Sequence, residues 1–298
     1  MDKPTLSIII VNYGHIVDTC LCLDSLTKVT YKDLEVIVVD NGSVEDRSLE
    51  FKQKYPSCIV INKSTNGGFA SGVNAGLRIA RGDYLMLLNN DTIVTPGFIE
   101  PLLNVFELNQ DIGLLSPQIC FNYQRDKIQY AGATAIHPIL ARGSKLGYGE
   151  MRNQKYDINQ ATELCNGACM VFRSFVLEDV GYFSEKYFMY YEEHDFTHRA
   201  KSLGWKCYYV GSSLIYHSQS GTIGNDSPLK TYYILRNRLL YQRTFQSGIK
   251  LMASTLYICL VIYPKTLIQK IINRDINGIK SVLNAVLWHV KNYKLKYV

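Results

Sequence analysis

The sequence predicts an α/β fold in which helices cover a mostly parallel central sheet. Over residues 6–109, apolar segments of strand length alternate with segments of helical spacing. The strand-like segments are apolar on both faces, which is typical of buried parallel strands. In addition, polar and glycine residues follow each of the first four strands. Ligands of such sheets bind beyond the carboxyl ends of the strands.

The elements of the first half follow in regular order. Strands are predicted at LSIIIVNY (6–13), LEVIVVD (34–40), CIVIN (58–62), YLMLLN (84–89) and IGLLSPQIC (112–120). Helices are predicted at 15–29, 44–55, 69–80 and 97–109. The last helix follows Thr95 and Pro96, a pair that is typical of an N-cap and a first helical turn.

The second half is less regular. Residues 140–160 are polar and glycine-rich and predict a loop, and residues 192–204 predict a helix. WKCYYV (205–210) and SLIYH (213–217) predict two strands, and the pattern becomes helical from residue 229. We therefore expect an α/β domain over residues 1–225 and a helical segment over residues 226–298.

Composition and charge narrow the class of protein. The 298 residues are 47% hydrophobic and 19% charged, which is typical of a globular chain. The start of the sequence runs directly into an apolar strand, so we expect a cytoplasmic protein with eight reduced cysteines. The net charge of +6 is divided unevenly: residues 230–298 hold 12 Lys and Arg and one acid, a net charge of +11.

Four successive strands end in polar residues. Asn12 and Tyr13 follow the first strand, DNGS (40–43) the second, NKSTNGGF (62–69) the third, and Asn89-Asn90-Asp91 the fourth. At a single strand a surface turn explains such residues, but four in a row favour a ligand cleft. The single glycine in VNYGHIVD excludes a nicotinamide dehydrogenase, which needs G-x-G-x-x-G after its first strand.

The motifs together resemble family 2 glycosyltransferases of the GT-A fold, and most closely bacterial rhamnosyltransferase-type enzymes of surface polysaccharide synthesis. The resemblance spans residues 6–222 and is carried, in family order, by SIIIVNYG, VIVVDNGSVEDRS, NGGFASGVNAGLRIARGDYLMLLNNDT, GACMVFRSFVLEDVGYFSEKYFMYYEEHDFTHRAKSLGW and IYHSQSGT.

The resemblance implies a divalent cation, Mg²⁺ or Mn²⁺, that bridges a nucleotide-sugar diphosphate. Asn89-Asn90-Asp91 aligns with the D-x-D-like motif of the family, so Asp91 is the expected cation ligand. Asn89 departs from the usual Asp, which removes one negative charge. His217 matches a position where a histidine completes the cation shell; without the resemblance it would be an ordinary strand-end residue.

The resemblance also implies a donor pocket. Asp40 is expected to accept a hydrogen bond from uracil or thymine, although an ordinary turn or cap role remains open. The backbone of Val11 and Tyr13 is expected to line the same pocket. We assign Gly68, Asn90 and Arg236 to the donor site as well: Gly68 opens a helix whose N-terminus attracts anionic oxygens. Arg236 is expected to face the diphosphate or a lipid-linked acceptor, or else solvent.

The acidic doublet of YYEEHDFTHR supplies the expected catalytic base. By the resemblance, its second member, Glu193, removes the proton of the acceptor hydroxyl, and the sugar is transferred with inversion. Acids at this place also favour a helix N-terminus. The clustering of Glu192, Glu193 and Asp195 is expected to raise one pKa.

The implied activity is transfer of a sugar onto a saccharide or lipid-diphosphate-linked acceptor. Rhamnose from dTDP-rhamnose is the favoured donor, and a UDP-hexose is the second choice. The alternatives are a non-catalytic nucleotide-sugar-binding module, which would lack Glu193, and a sugar-phosphate nucleotidyltransferase, which usually has a Gly-rich basic loop after its first strand.

The basic C-terminal segment is expected to dock on the inner face of the plasma membrane without crossing it. The apolar run 251–263 is short of the ~20 residues of a spanning helix and is expected to stop at Pro264. Residues 276–298 place apolar residues and Lys at helical spacing. Interleaved apolar residues disfavour nucleic acid as the partner, while packing on the catalytic domain or homo-oligomerisation remains the alternative.

Overall fold

A computed structural model describes residues 5–14, 16–218 and 227–293 of the chain. The strands are β1 Leu6–Asn12, β2 Leu34–Asn41, β3 Ile59–Lys63, β4 Tyr84–Leu88, β5 Thr92–Val94, β6 Ile112–Phe121, β7 Gln124–Tyr130, β8 Asn159–Ala161, β9 Cys169–Arg173 and β10 Lys206–His217. The helices are α1 Val17–Leu26, α2 Ser48–Lys54, α3 Phe69–Leu77, α4 Ile99–Leu108, α5 Ser174–Val180, α6 Glu192–Ser202, α7 Pro228–Phe245, α8 Gly248–Tyr257, α9 Tyr263–Ile272 and α10 Ile276–Lys291.

The described residues form two compact units. Unit 1 comprises Met1–Thr134, Lys145–Phe188 and Glu192–Thr222. Unit 2 comprises Ala135–Ser144, Met189–Tyr191 and Ile223–Val298. The expected domain boundary at residue 225 lies outside the described residues and stays a prediction. The two short internal stretches of unit 2 had no signal in the sequence.

Unit 1 contains one mixed sheet with the strand order β3-β2-β1-β4-β9-β6-β10-β5. Its first half, β3-β2-β1-β4, is parallel, with Asn12 of β1 opposite Asp40 of β2. β9 then runs antiparallel between β4 and β6, while β6 and β10 are parallel to each other. The predicted α/β fold with a mostly parallel central sheet is confirmed.

Helix α3 packs unusually closely on β1. Cβ atoms built at Gly72 and Gly76 would lie 2.7 Å from Val11 Cγ1 and 2.6 Å from Ile9 Cγ2. Because these two glycines are four residues apart, they share one helix face, which therefore approaches the strand without side chains. The core beside them contains buried Leu, Val and Phe residues of the sheet and helices.

Two predictions about the ends and continuity of elements were wrong. Helix α4 begins at Ile99, so Thr95 is not its cap; its hydroxyl donates to Leu214 O at 2.8 Å. The two strands predicted at 205–210 and 213–217 are one strand, β10, which is irregular opposite β6 between Val210 and Leu214. Extra residues in a strand shift its register without ending it.

Unit 2 is helical and has its own apolar core. Leu235 and Leu239 of α7 pack there with Ile258, Val282 and other buried side chains. The same unit contains Arg236, which lies over the rings of Tyr232, Tyr233 and Trp288.

The expected stop at Pro264 was wrong. The helix is continuous over Gly248–Ile272, because the π-helical turn Ile258–Ile262 joins α8 to α9. The Tyr263 N–H bonds to Ile258 O, a π-helical step directly before the proline. Such a turn lets the chain accommodate Pro264, which has no N–H to donate. By length and composition this helix could cross a membrane. The last residues of the predicted amphipathic stretch, 294–298, lie outside the described residues.

Candidate active site

A polar network joins the carboxyl ends of β1, β2 and β4 in unit 1. The Asn90 amide donates to Thr19 Oγ1 at 3.0 Å, and Thr19 Oγ1 donates to Asn12 Oδ1 at 2.7 Å. Asn12 in turn donates to Asp40 Oδ1 at 3.0 Å. The structure therefore brings Asp40 and Asn90 into one hydrogen-bonded chain. Asn12 and Thr19, the two linking residues, had no predicted role.

Asp40 is held entirely by protein groups. It has no exposed surface, and it accepts hydrogen bonds from Asn12, from the Ser43 hydroxyl and from the Arg47 N–H. These contacts fit the turn role that the sequence left open. Direct contact with a nucleobase would require this turn to open, and that contact stays a prediction.

The N-terminus of α3 is already occupied by protein acceptors. The Gly68 N–H donates to Asn66 Oδ1 at 2.9 Å, and the Phe69 N–H donates to Phe188 O at 2.6 Å. Gly68 has a φ of 86°, and a Cβ there would lie 2.2 Å from Phe188 O. The glycine therefore permits a close approach of two backbone segments, while its expected role in donor binding remains untested.

Asp91 and His217 meet beyond the end of β4. His217 Nε2 lies 3.0 Å from Asp91 Oδ1 and 3.3 Å from the Asn89 amide nitrogen. Both side chains are largely buried, with 12% and 8% of their surfaces exposed. The other ring nitrogen of His217, Nδ1, lies 2.7 Å from Gln129 Oε1. Sequence reasoning had no signal for Gln129, since it lies 88 residues from His217.

These residues fit a divalent cation that the donor helps to bind. Carboxylate oxygen and imidazole nitrogen suit Mg²⁺ or Mn²⁺ sites, and a ligating histidine usually donates its second ring N–H to an acceptor such as Gln129. No group of three or more His, Cys, Asp or Glu within residues 5–14, 16–218 and 227–293 could hold a metal ion. Asp91 and His217 would therefore need further oxygens, which a nucleotide diphosphate has.

The predicted base begins helix α6. Gly167, in the turn before β9, lies directly against Glu193: a Cβ there would be 3.5 Å from Glu193 Cγ. Its neighbour Ala168 accepts the Asn89 N–H at 2.9 Å. Glu193 therefore lies near the end of β4, beside the segment that bonds to the cation-site loop.

Glu192 and Glu193 differ in their proton affinity. Burial, together with the charge of Glu193, raises the pKa of Glu192 well above its ordinary value. Burial also acts to raise the pKa of Glu193. His194, whose Nδ1 lies 3.1 Å from Glu193 Oε1, acts against burial together with a backbone hydrogen bond and the charge of Lys145, and the net result is a lowered pKa. One pKa is raised, as expected, but it belongs to Glu192. Glu193 is the member of the pair that is ionised and able to accept a proton.

Asp195 is engaged elsewhere. Its carboxylate pairs with Arg199 Nε at 2.7 Å, one helical turn later. Arg199 also donates to the carbonyl groups of Val180 and Tyr182. Asp195 therefore ties α6 to the end of α5, and it is a poor candidate for the base.

The remaining predicted residues lie in two places. Val11 is partly buried in β1, and Tyr13 follows the strand with 43% of its surface exposed. Arg236 lies in unit 2, where its guanidinium packs on the rings of Tyr233, Trp288 and Tyr232 at 4.7, 5.1 and 5.7 Å. Its Nε donates to Asn237 Oδ1 at 2.8 Å. Arg236 is therefore a buried cation in contact with three aromatic rings. Its expected contact with a diphosphate stays a prediction.

Comparison of the sequence with known proteins finds glycosyltransferases. The profile described as Glycosyl transferase family 2 matches residues 7–181. A Mycobacterium tuberculosis protein named N-acetylglucosaminyl-diphospho-decaprenol L-rhamnosyltransferase is 29% identical over 227 residues, which cover 68% of this chain and 73% of that protein.

Solved structures resemble the chain in fold. Staphylococcus aureus TarS 1–349 in complex with UDP has a TM-score of 0.57 at 17% identity, covering 95% of this chain and 81% of that one. The mannosyltransferase PcManGT from Pyrobaculum calidifontis, in complex with GDP-Man and Mn²⁺, has a TM-score of 0.56 at 13% identity, covering 99% and 77%. At these identities the likeness concerns the fold alone.

Proposed function

The chain belongs to glycosyl transferase family 2 and has the GT-A fold, and we propose that it is an inverting, cation-dependent rhamnosyltransferase. The proposed donor is dTDP-L-rhamnose, and the proposed acceptor is a saccharide carried on a lipid diphosphate. The name of the mycobacterial relative, which gives L-rhamnose as the sugar and a lipid diphosphate as the carrier of the acceptor, supports the choice of sugar and of acceptor. A UDP-hexose is the second candidate donor.

One observation carries the proposed chemistry. The ionised Glu193 lies against Gly167, whose neighbour bonds to the loop that holds Asp91. A group that can accept a proton therefore lies close to the residues proposed to hold the donor diphosphate. This is the arrangement that a direct displacement needs, because the acceptor oxygen that the base deprotonates attacks the same carbon atom that the diphosphate leaves.

In the proposed reaction Glu193 removes the proton of the acceptor hydroxyl as its oxygen attacks the anomeric carbon. The bond from that carbon to the diphosphate breaks in the same step, so configuration inverts. His194, at 3.1 Å from Glu193, keeps the base ionised beforehand. Burial and the charge of Glu193 raise the pKa of Glu192, which disfavours a second negative charge beside the base.

Asp91 and His217 would hold the cation, and Asn90 would orient the loop through Thr19. When bound, the cation neutralises charge that develops on the departing nucleotide diphosphate. Asp40 organises the turn after β2 that we assign to the nucleoside end of the site.

We further propose that unit 2 docks on the cytoplasmic face of the membrane with the helix Gly248–Ile272 lying along it. Leu260, Ile268 and Ile272 on this helix are more than half exposed. Ile258 and Tyr263, near its middle, pack against α7, and the Tyr263 hydroxyl donates to Leu235 O at 3.5 Å. Because α7 also has several arginines, burial of the packed helix across a bilayer would be costly. Such docking would hold the chain at the membrane that contains a lipid-linked acceptor.

The test is a donor panel. Purified full-length chain is incubated with dTDP-, UDP- and GDP-sugars, Mg²⁺ or Mn²⁺, and a short-chain lipid-diphosphate-linked N-acetylglucosamine acceptor. We expect acceptor-dependent release of dTDP from dTDP-rhamnose and a product in which the rhamnosyl linkage has the inverted configuration.

Release from a UDP- or GDP-sugar instead would correct the donor and keep the enzyme class. Donor binding without any turnover on lipid-linked or free saccharides would favour a non-catalytic nucleotide-sugar-binding module. A product of retained configuration would remove the single-displacement mechanism and the role of Glu193.

A further inference from the structure

Gln129 is a buried amide at an irregular point of the sheet. In the pairing of β6 with β7, Ile119 lies opposite Tyr130 and Cys120 opposite Ile128, so Gln129 is an extra residue between two paired positions. Such β-bulges re-aim a side chain and occur often beside active sites. Gln129 has 1% of its surface exposed.

The bulged side chain contacts a residue on a strand with which β7 does not pair. β6 lies between β7 and β10 in the sheet, yet Gln129 Oε1 reaches His217 Nδ1 at 2.7 Å. This contact is short for a hydrogen bond between an imidazole and an amide oxygen. The contact therefore depends on the bulge, because side chains of a regular strand alternate between the two faces of the sheet and the amide would point in another direction.

The chemistry of the two groups defines the state of the imidazole. An amide oxygen only accepts hydrogen bonds, so the nitrogen facing it, Nδ1, must hold a proton. The Asp91 carboxylate that Nε2 faces likewise only accepts, so Nε2 can bind a cation only when the imidazole is neutral and its single ring proton is on Nδ1. Nε2 is the atom that lies 3.0 Å from Asp91 Oδ1, where the proposed cation would bind.

We propose that Gln129 is a positioning residue of the cation site, which holds the ring of His217 in the orientation and tautomer that leave Nε2 available as a ligand. The inference rests on the proposed cation at Asp91 and His217. Gln129 does not touch the cation itself; it acts through the histidine, as partners of ligating histidines do in other metal sites.

The experiment measures Mn²⁺ affinity directly and does not depend on turnover. Full-length protein is titrated with Mn²⁺ in the presence of saturating dTDP, and free Mn²⁺ is counted by its electron paramagnetic resonance signal. Gln129→Leu should weaken Mn²⁺ binding by about 10–100-fold, the range found for partners of metal-ligating histidines. Gln129→Glu should keep an affinity close to that of the wild type, because a carboxylate also accepts the Nδ1 proton.

Gln118→Leu is the matched control. Gln118 is an equally buried glutamine on the neighbouring strand β6, and its amide donates to Tyr156 O and to the Tyr209 hydroxyl, both at 2.9 Å. This variant also loses a buried amide, but it should leave Mn²⁺ affinity unchanged. Melting temperatures of the two Leu variants show whether their losses of stability are comparable.

Two further variants separate the possible failures. If Asp91→Ala binds Mn²⁺ as tightly as the wild type, the proposed cation site itself is wrong. If Asp91→Ala loses binding while Gln129→Leu keeps it, the cation site stands and the role of Gln129 is overturned. In a His217→Ala background, Gln129→Leu should have no further effect; an added loss would mean that Gln129 acts on the site by another route.

The tautomer gives an independent readout. Nitrogen-15 spectra of the imidazole of His217 in the Mg²⁺- and dTDP-bound wild type should show a proton on Nδ1 and none on Nε2. A proton on Nε2 in that state would refute the inference, since that nitrogen could then not bind a cation.

Discussion

Replacing Glu192 with glutamine separates the two carboxyl groups at the start of α6. Glu192 is buried, and its Oε2 has no hydrogen-bond partner among the residues that the structure describes. Burial and the neighbouring Glu193 raise its pKa well above the ordinary 4.5. The folded protein therefore keeps this carboxyl group protonated to a higher pH than the unfolded chain does. Glutamine has nearly the same shape and is neutral at every pH.

The magnitude follows from proton linkage. For an acid whose pKa is raised on folding, the stability contribution is complete below pH 4.5 and is lost as pH rises towards the folded pKa. Each pH unit within that window costs about 1.4 kcal/mol of unfolding free energy for one proton. Glu192→Gln escapes this loss, so its advantage over the wild type should grow by about 1.4 kcal/mol per pH unit above pH 5.

The assay is urea denaturation of both proteins at a series of pH values, together with turnover at neutral pH. Glu178→Gln, at an exposed position of α5, is the control for loss of a carboxylate and should show no such trend. Turnover of Glu192→Gln should be retained, because Glu193 remains ionised. A stability difference that does not change with pH would refute the protonation of Glu192. Loss of turnover in this variant would move the base from Glu193 to Glu192.

Four further predictions concern the site and unit 2. Glu193→Gln should bind donor normally but lower turnover by roughly 10²-fold or more, as measured by nucleotide release; near-normal turnover would exclude it as the base. Asp91→Ala should abolish cation-dependent donor binding in calorimetry, and full wild-type activity in EDTA would contradict a cation site. Asp40→Ala should lower the unfolding free energy by about 1–3 kcal/mol, because the buried Asn12 amide and the partly buried Ser43 hydroxyl and Arg47 N–H lose their acceptor; unchanged stability would contradict its structural role. The full chain should float with anionic vesicles at low salt, and Leu260→Glu should weaken flotation more than the control Leu108→Glu, a substitution at an exposed leucine of unit 1; absence of wild-type flotation would favour an oligomer.

Local patterning was sufficient for the first half of the fold. The runs at β1, β2 and β4 are apolar on both faces, so their burial and alternation with helices could be predicted without knowledge of any distant contact. The burial expected of β3 was wrong, because this strand lies at the edge of the sheet and its residues are exposed or only partly buried. The polar ends of these strands indicated the edge of the sheet where Asn12, Asp40 and Asn90 share one network. Glu193 and Asp91 were candidates from motifs alone, because the resemblance assigns roles to their positions.

The tertiary structure decided what depends on burial and on contacts far apart in the chain. Only packing separates these two groups, with the pKa of Glu192 raised and that of Glu193 lowered, since adjacent glutamates are indistinguishable by composition. Only the bulge of β7 brings Gln129 to His217, because strand order and register are set by the whole sheet. The helix likewise continues through Pro264 because a π-helical turn precedes it. Pro264 has no N–H for a regular helical hydrogen bond, and the turn accommodates this.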